Sequence, residues 1–519
     1  MHHTTCLQKI KTRLPQLMSF LCASFTLVVL PLLFNDAFFD INRVKVNAVY
    51  AVVPALAAAM LIALLFDARP AKRGLLGKDT RFVFISIGLF IAACSTSCAL
   101  QGFSSAVLLG NTGRYCGLYF VLCCALAFFM IAGGALCGHV VSRVAVICAS
   151  AVAALGVINA LGVDPLGFYD RIKAGQETTF LSTIGHFDFF GTYLVLLLPL
   201  AGGMFIFCEK RNARVLGGVC AALIAVGTYA SRTDSALIGA HLSCAALLAM
   251  SGDSFLQMAR ACFLWGGCFA ALPLSRWILS HSSFSLHFSA PLTLLYEKHI
   301  ALALVVLFFI AGAALLWAEN NRRRAPGKRR FAAAVLIALF ILALLLVGLI
   351  VYFTVFAPGF PLGKAEHFLR FSDTWGSYRG FVYTRALRAF EDFTLTEKLF
   401  GKGMDTALGI LTPYFDDPAM LVSGVFNDAH NQLLQLLITC GFFGAGSFAL
   451  FYLAMLTLLL RRSGRDPLLC GAFASVFAYS VVIALNVTQP ILISTYFSIC
   501  ALALSRVGYL DERKEEAFA

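Results

Sequence analysis

His430 stands where a long polar stretch meets an apolar run, in Asp428-Ala429-His430-Asn431-Gln432-Leu433-Leu434. A neutral imidazole, with an ordinary pKa of about 6.5, can take a proton from a hydroxyl in a transition state near neutral pH. A plainer alternative is that His430 caps the helix that follows, with Asp428 beside it. Arginines form the second group: Arg114, Arg171, Arg232, Arg370, Arg379, Arg385 and Arg388. A guanidinium forks onto phosphate through two parallel charge-assisted hydrogen bonds, so several arginines around one histidine suit a phosphorylated, anionic substrate. Arg385 and Arg388 are three residues apart and share a face if the segment is helical. Each arginine also has a structural alternative, pairing with Asp373, Glu391, Asp392 or a lipid headgroup. The third group is the stretch Ser182 to Tyr193, which carries His186 and Asp188 just ahead of an apolar run. Ionisable groups there are costly unless satisfied or functional, so the pair could line a cavity, or Asp188 could simply favour a helix N-terminus. His241, alone within an apolar run, reads instead as a hydrogen-bonded packing residue.

The elements that hold these groups are dictated by composition. With 60% hydrophobic and 13% charged residues, and a mean hydropathy of +0.84, the chain is a polytopic membrane protein. Spans of about twenty apolar residues are expected to begin near Leu17, Val46, Phe82, Tyr115, Val140, Phe187, Val215, Ser235, Phe255, His299, Phe331, His430, Pro467 and Pro490, about fourteen in all. From a cytoplasmic N-terminus, the basic groups Lys9/Lys11/Arg13, Arg69/Lys72/Arg73/Lys78, Lys210/Arg211/Arg214, Arg322 to Arg330, Arg461/Arg462/Arg465 and Arg513/Lys514 all fall on one side. That agrees with retention of positive charge in the cytoplasm, where both termini are expected. The arginines of the first paragraph then lie outside, where they are disfavoured unless they have a use. The net charge of +13 reads as topology and attraction to anionic membrane lipids, with no nucleic acid implied. Seventeen cysteines, mostly in apolar runs, read as small hydrophobes, and neither metal nor cofactor is expected. The first apolar run is longer than a signal-peptide core and reads as a retained span.

The fold class is therefore all-α, a helical membrane bundle with one large, partly helical extracytoplasmic loop. Residues 1–357 form the N-terminal bundle, 358–428 the loop, and 429–519 three C-terminal spans with a cytoplasmic tail. Within the loop, Arg379 to Asp392 places Phe381, Val382, Ala386, Leu387, Ala389 and Phe390 on a helical repeat, predicting an amphipathic helix. Gly401-Lys402-Gly403 ends it, and Pro413 to Pro418 with Asp416-Asp417 reads as turn. The loop is expected to lie as a cap on the bundle, because a segment this small does not fold without a platform.

Four stretches carry a family resemblance: GNTGRYCGLYF around Arg114, STIGHFDFFGTYLVLLLPL around His186, SRTDSALIGAHL around Arg232, and the pair YRGFVYTRALRAFEDFTLTEKLFGKGMD with DAHNQLLQLLITCGFFGAG. Together they resemble the O-antigen ligase and polymerase family, multi-span enzymes that move glycans from a polyprenyl-pyrophosphate carrier at the outer face of the bacterial plasma membrane. The resemblance runs from Arg114 to Arg506, with eleven spans before the loop where a typical ligase has fewer. It implies that His430 is the loop histidine acting as base, that Arg379 is the arginine opening the loop helix, and that Arg232 grips pyrophosphate. Arg114, Arg385, Arg388, His186, Asp188 and Asn431 are further candidates for substrate contact. The His186 stretch departs from the asparagine-containing version of the family.

What the resemblance implies is inverting, metal-independent glycosyl transfer from the lipid-linked glycan donor to a hydroxyl of a glycan or lipid acceptor. Two alternatives stand beside the ligase. A polymerase would use a second lipid-linked repeat unit as acceptor. A transporter or flippase would use the outer arginines to guide an anionic headgroup, and is expected to carry ionisable residues deep in its spans.

Overall fold

In the computed structural model the described residues are 14–65, 79–111, 113–134, 136, 138–172, 175–321, 323–415, 428–486 and 488–518. The basic groups expected at Lys9 to Arg13 and Arg69 to Lys78, Arg322, and the turn at Asp416-Asp417 lie outside them. Every apolar run of the sequence becomes a helix, because in lipid a spanning backbone must satisfy its own amide groups. Among the described residues, eleven helices of fifteen residues or more precede the loop: α1 (Leu14–Leu32), α2 (Ile41–Leu65), α3 (Arg81–Leu100), α4 (Leu118–Ala132), α5 (His139–Ala160), α6 (Phe187–Phe207), α7 (Arg211–Ala230), α8 (Asp234–Met250), α9 (Phe255–Leu279), α10 (Ile300–Asn320) and α11 (Lys328–Phe356). The loop carries α12 (Trp375–Glu391). Three helices follow it, α13 (Gln432–Arg462), α14 (Pro467–Leu485) and α15 (Pro490–Ala517). Twelve of these are long and apolar enough to cross a membrane, and α4 and α8 are shorter apolar helices. Together they occupy the expected positions, and the protein is an all-α, multi-pass helical bundle.

Hydrogen bonds gather the helix ends into two faces. On one, Asp253 accepts from the Lys328 amide at 2.7 Å, Lys328 Nζ donates to Ser463 Oγ at 2.7 Å, and Arg506 Nη2 pairs with Asp466 at 2.8 Å. On the other, Asn42 Nδ2 donates to Gln489 Oε1 at 2.6 Å and to the Gly113 carbonyl at 2.8 Å, and the Ser283 amide reaches the Leu161 carbonyl at 3.2 Å. This second face carries the large loop and is called the loop face below.

The core lies along α6 and α15, with α14 between neighbours. Leu194 to Ala201 of α6 are all buried. At the periphery only Ala332 of Lys328–Val351 is buried, so α11, apolar from Phe331 to Val351, presents its surface to lipid. The cysteines behave as small core residues, since all those described are buried except Cys116 and Cys208. His241 accepts from Trp265 Nε1 at 3.1 Å, sits 3.0 Å from the Tyr229 hydroxyl and stacks on Phe269. It is the packing residue its surroundings suggested.

The loop docks on α13 as a cap. Phe381, Val382, Ala386 and Ala389 of α12 pack with Phe393, Ala407, Ile410, Leu411, Ala429 and Ile438 in a small core of their own. Leu387 falls outside this apolar face and is exposed. Gly376, Ser377 and Tyr378 adopt left-handed backbone, so right-handed turns begin at Arg379, where the apolar repeat begins. A second contact is backbone on backbone. α13 is kinked at Gly441, φ 68°, and the Lys402 and Gly403 amides donate to the Ile438 and Thr439 carbonyls at 3.3 and 2.9 Å.

Candidate functional site

His430 lies in the turn that leads into α13, and it does not cap that helix. Asn431 does, its side-chain oxygen accepting from the Leu434 amide at 3.0 Å. The imidazole is free of that duty and turns to Asp428, whose Oδ1 lies 2.8 Å from Nδ1 and also accepts the His430 amide at 2.6 Å. The other carboxylate oxygen, Oδ2, is held by the Arg114 guanidinium. Asp428 is almost wholly buried, 1% exposed, so its charge depends on these two partners. Arg114 is in turn fixed by the loop around it. Asp405 Oδ2 accepts the amides of Asn111 at 2.8 Å and Cys116 at 3.2 Å, and its charge acts on Arg114. Burial pushes the Arg114 pKa down and the Asp405 carboxyl up from their ordinary values, and each opposes the shift of the other. Gly110, at φ 85°, admits this arrangement, because a Cβ there would lie 2.5 Å from Asp405 Oδ2.

A second set of contacts converges on the end of α14. The Tyr383 hydroxyl donates to the Ala484 carbonyl at 3.1 Å and lies 3.2 Å from the His430 carbonyl. Asn431 Nδ2 reaches the same Ala484 oxygen at 3.0 Å. Arg379 Nε donates to the next carbonyl, Leu485, at 2.5 Å, and its Nη1 to Gly376 at 2.6 Å. Beside them, β1 (Phe180–Leu181) and β2 (Gly185–His186) form a small antiparallel hairpin that delivers His186 to the head of α6. Its Nδ1 accepts the Asp188 amide at 3.3 Å, the bond of a neutral ring. Burial pushes its pKa down, Asp188 opposes this, and the charge of His430 adds to it. Asp188 sits in the first turn of α6, where negative charge is favoured. Asp234, at the head of α8, is in electrostatic reach of both Arg379 and Asp188 and accepts a bond from Ser289.

Arg232 fills the three-residue turn between α7 and α8. One guanidinium nitrogen donates to the Thr178 carbonyl and the group lies 5.7 Å from the Phe187 ring centre. Its buried Nε–H has no acceptor among the described residues. Burial pushes its pKa down. Arg232, Asp405 and His430 all hold left-handed backbone, at φ 60°, 58° and 47°, which costs a non-glycine residue of order 1–3 kcal/mol and persists where the surroundings over-determine it.

The candidate residues are thus not one cluster. His430, Asn431, Arg379, His186 and Asp188 share the region at the α14 end and the α6 head, and Arg232 adjoins it through Phe187. Arg114 reaches His430 through Asp428. Arg385 is turned elsewhere, paired with Asp373 at 2.8 Å and lying 3.9 Å over the Phe381 ring. Arg388 is exposed, so the two arginines differ in burial despite their spacing. Tyr383, Asp405 and Arg276 were not singled out from the sequence. Arg276 sits between the rings of Phe288 and Tyr296, 4.6 and 4.4 Å from their centres. Its position at the loop-face end of α9, against the charge bias of the loops, was the available signal; Asp405 offered none, since its partners are remote in sequence.

Fold and site define a multi-pass helical membrane protein whose ionisable groups are organised on one face beneath a docked loop. Residues 289–449 match the family model described as O-Antigen ligase, and over this stretch the chain is similar to that family. The matched stretch includes α10, α11, the loop, Arg379 and His430, and is narrower than the span from Arg114 to Arg506 over which the sequence resembles the family. No curated protein matches the chain.

Proposed function

We propose that the protein transfers a glycan from a polyprenyl-pyrophosphate carrier to an acceptor hydroxyl at the loop face of the membrane, which is the outer face of a bacterial plasma membrane. The observation that carries this reading is the meeting of Arg379 and Asn431, the residue next to His430, at adjacent carbonyls of α14 beside His186, all three of Arg379, His430 and Asn431 lying within the family-matched stretch. A proton acceptor and cationic groups stand together there, as transfer from a pyrophosphate requires. The acceptor oxygen bonds to the anomeric carbon while the bond from that carbon to the phosphate oxygen breaks. Polyprenyl pyrophosphate leaves with the electron pair, and the hydroxyl proton passes to Nε2 of His430, whose Nδ1 faces Asp428. Single displacement inverts the anomeric carbon. Arg232 offers its unmatched Nε–H to the pyrophosphate, and Arg379 adds a second guanidinium at the end of α14. A positioned base contributes about 10²–10⁴-fold, and charge stabilisation and proximity supply the rest.

Proteoliposomes carrying wild type or His430→Ala, given a labelled polyprenyl-pyrophosphate oligosaccharide with and without acceptors, test this. Wild type is expected to make product and His430→Ala to lose about 10²–10⁴-fold. One transfer that needs an acceptor marks a ligase, and a ladder from donor alone marks a polymerase. Label that only changes leaflet, equally in the variant, would overturn the reading in favour of a flippase.

A further inference from the structure

We infer that Arg114 and Asp428 are positioning residues for His430, and that Arg114 acts through Asp428 rather than by gripping the donor's pyrophosphate. The inference rests on the reading of His430 as base. The two oxygens of one buried carboxylate are divided between the two partners: Oδ1 takes the His430 ring and amide, and Oδ2 takes the guanidinium. A carboxylate on Nδ1 selects the tautomer with the lone pair on Nε2, fixes the ring plane, and stabilises the imidazolium formed when the proton arrives. A buried carboxylate without a counter-ion would be costly. Arg114 removes that cost and, through the shared carboxylate, tempers the pull of Asp428 on the imidazole.

The layer behind Arg114 is built for this position. Asp405 binds the amides on either side of it, at Asn111 and Cys116, and the Asn111 side chain donates to the Asp405 carbonyl. The ionisable groups that face His430 include Asp428 on its own segment, Arg114 behind it, His186 from the head of α6 and Tyr383 from α12, with Arg379 one turn before Tyr383.

The two variants have opposite signatures. Protonated His430 cannot act as base, so the acid limb of kcat follows its titration. Asp428→Asn removes the group that favours imidazolium, so the limb moves to lower pH; an amide that can donate as well as accept no longer selects the tautomer, and kcat falls about 10²-fold. Arg114→Gln leaves Asp428 untempered, so the limb moves to higher pH, and Arg114→Lys, which keeps the charge, moves it back. The test is acceptor-dependent transfer by the full-length protein in proteoliposomes, from about pH 5 to about pH 9, with His430→Ala alongside. Opposite shifts with rescue by lysine are the expected result. Lost turnover with an unmoved limb would mean a merely structural pair and overturn the inference, as would full kcat in both variants. A raised KM for the donor at constant kcat in Arg114→Gln would return Arg114 to the pyrophosphate. Activity in His430→Ala would instead remove the base reading itself, a failure separable from the others.

Discussion

Two half-buried histidines with different surroundings separate packing from chemistry. His241 has both ring nitrogens engaged, by Trp265 and Tyr229, inside a helix pair and away from either face. Replacing it with phenylalanine keeps the stack on Phe269 but leaves an indole N–H and a phenol in lipid-depth surroundings without their partner, at about 1–3 kcal/mol for each buried group. His241→Phe is therefore expected to lower the thermal midpoint in detergent while the folded fraction transfers glycan at the wild-type rate; a normal midpoint with lost activity would make His241 functional after all. His430 has the opposite character, with one ring nitrogen on a carboxylate and its helix-capping duty taken by Asn431. Its place at the junction of polar and apolar sequence was legible. The Arg114–Asp428 pair was not, because ion pairing between segments so far apart leaves no local periodicity, and Arg114 read alone is simply an arginine on the phosphate-facing side.

At the scale of elements, the spans were legible because twenty apolar residues in lipid have one backbone solution, and α12 because its buried side chains repeat every three to four residues. What joins the loop to the bundle was hidden, since it is made by glycines. A Cβ on Gly441 would lie 2.3 Å from the Leu399 carbonyl group, and one on Gly401 2.2 Å from the Thr439 carbonyl carbon. Both hold left-handed backbone, φ 68° and 76°, so each admits the other's chain and neither tolerates a side chain. The Gly-Lys-Gly tripeptide that seemed only to end a helix thus supplies the amides for carbonyls released at the α13 kink. Gly441→Ala and Gly401→Ala are each expected to cost more than about 1 kcal/mol and to expose the loop to protease, whereas Gly446→Ala, with nothing within 4 Å of the added carbon, serves as the silent control. Equal protease resistance in all three would show that the loop is held by its apolar core alone.

Across the whole molecule, the two faces treat charge differently. On the loop face Arg114 is answered by Asp428, Arg385 by Asp373 and Arg370 by Glu366. On the opposite face Arg462 pairs with Asp79 and Asp511 and Arg506 with Asp466, and Lys210, Arg211, Arg214, Arg329, Arg330, Arg461 and Arg465 add further positive charge at the helix ends. Basic residues near an anionic leaflet gain about 1 kcal/mol each, and short basic loops stay cytoplasmic during insertion. On the proposed function the loop face points outward, where a polyprenyl-linked donor and an acceptor would both reach His430. This orientation is checked by single cysteines at exposed positions, Glu391→Cys on α12 and Arg513→Cys near the end of α15, probed with a membrane-impermeant maleimide. Intact cells should label Glu391→Cys at once and Arg513→Cys only after permeabilisation. The native thiols give little background, because those described are buried apart from Cys116 and Cys208. The reverse pattern would place His430 in the cytoplasm, and with it would go the outer-face transfer, since the acceptor hydroxyl and the base would then lie on opposite sides of the bilayer.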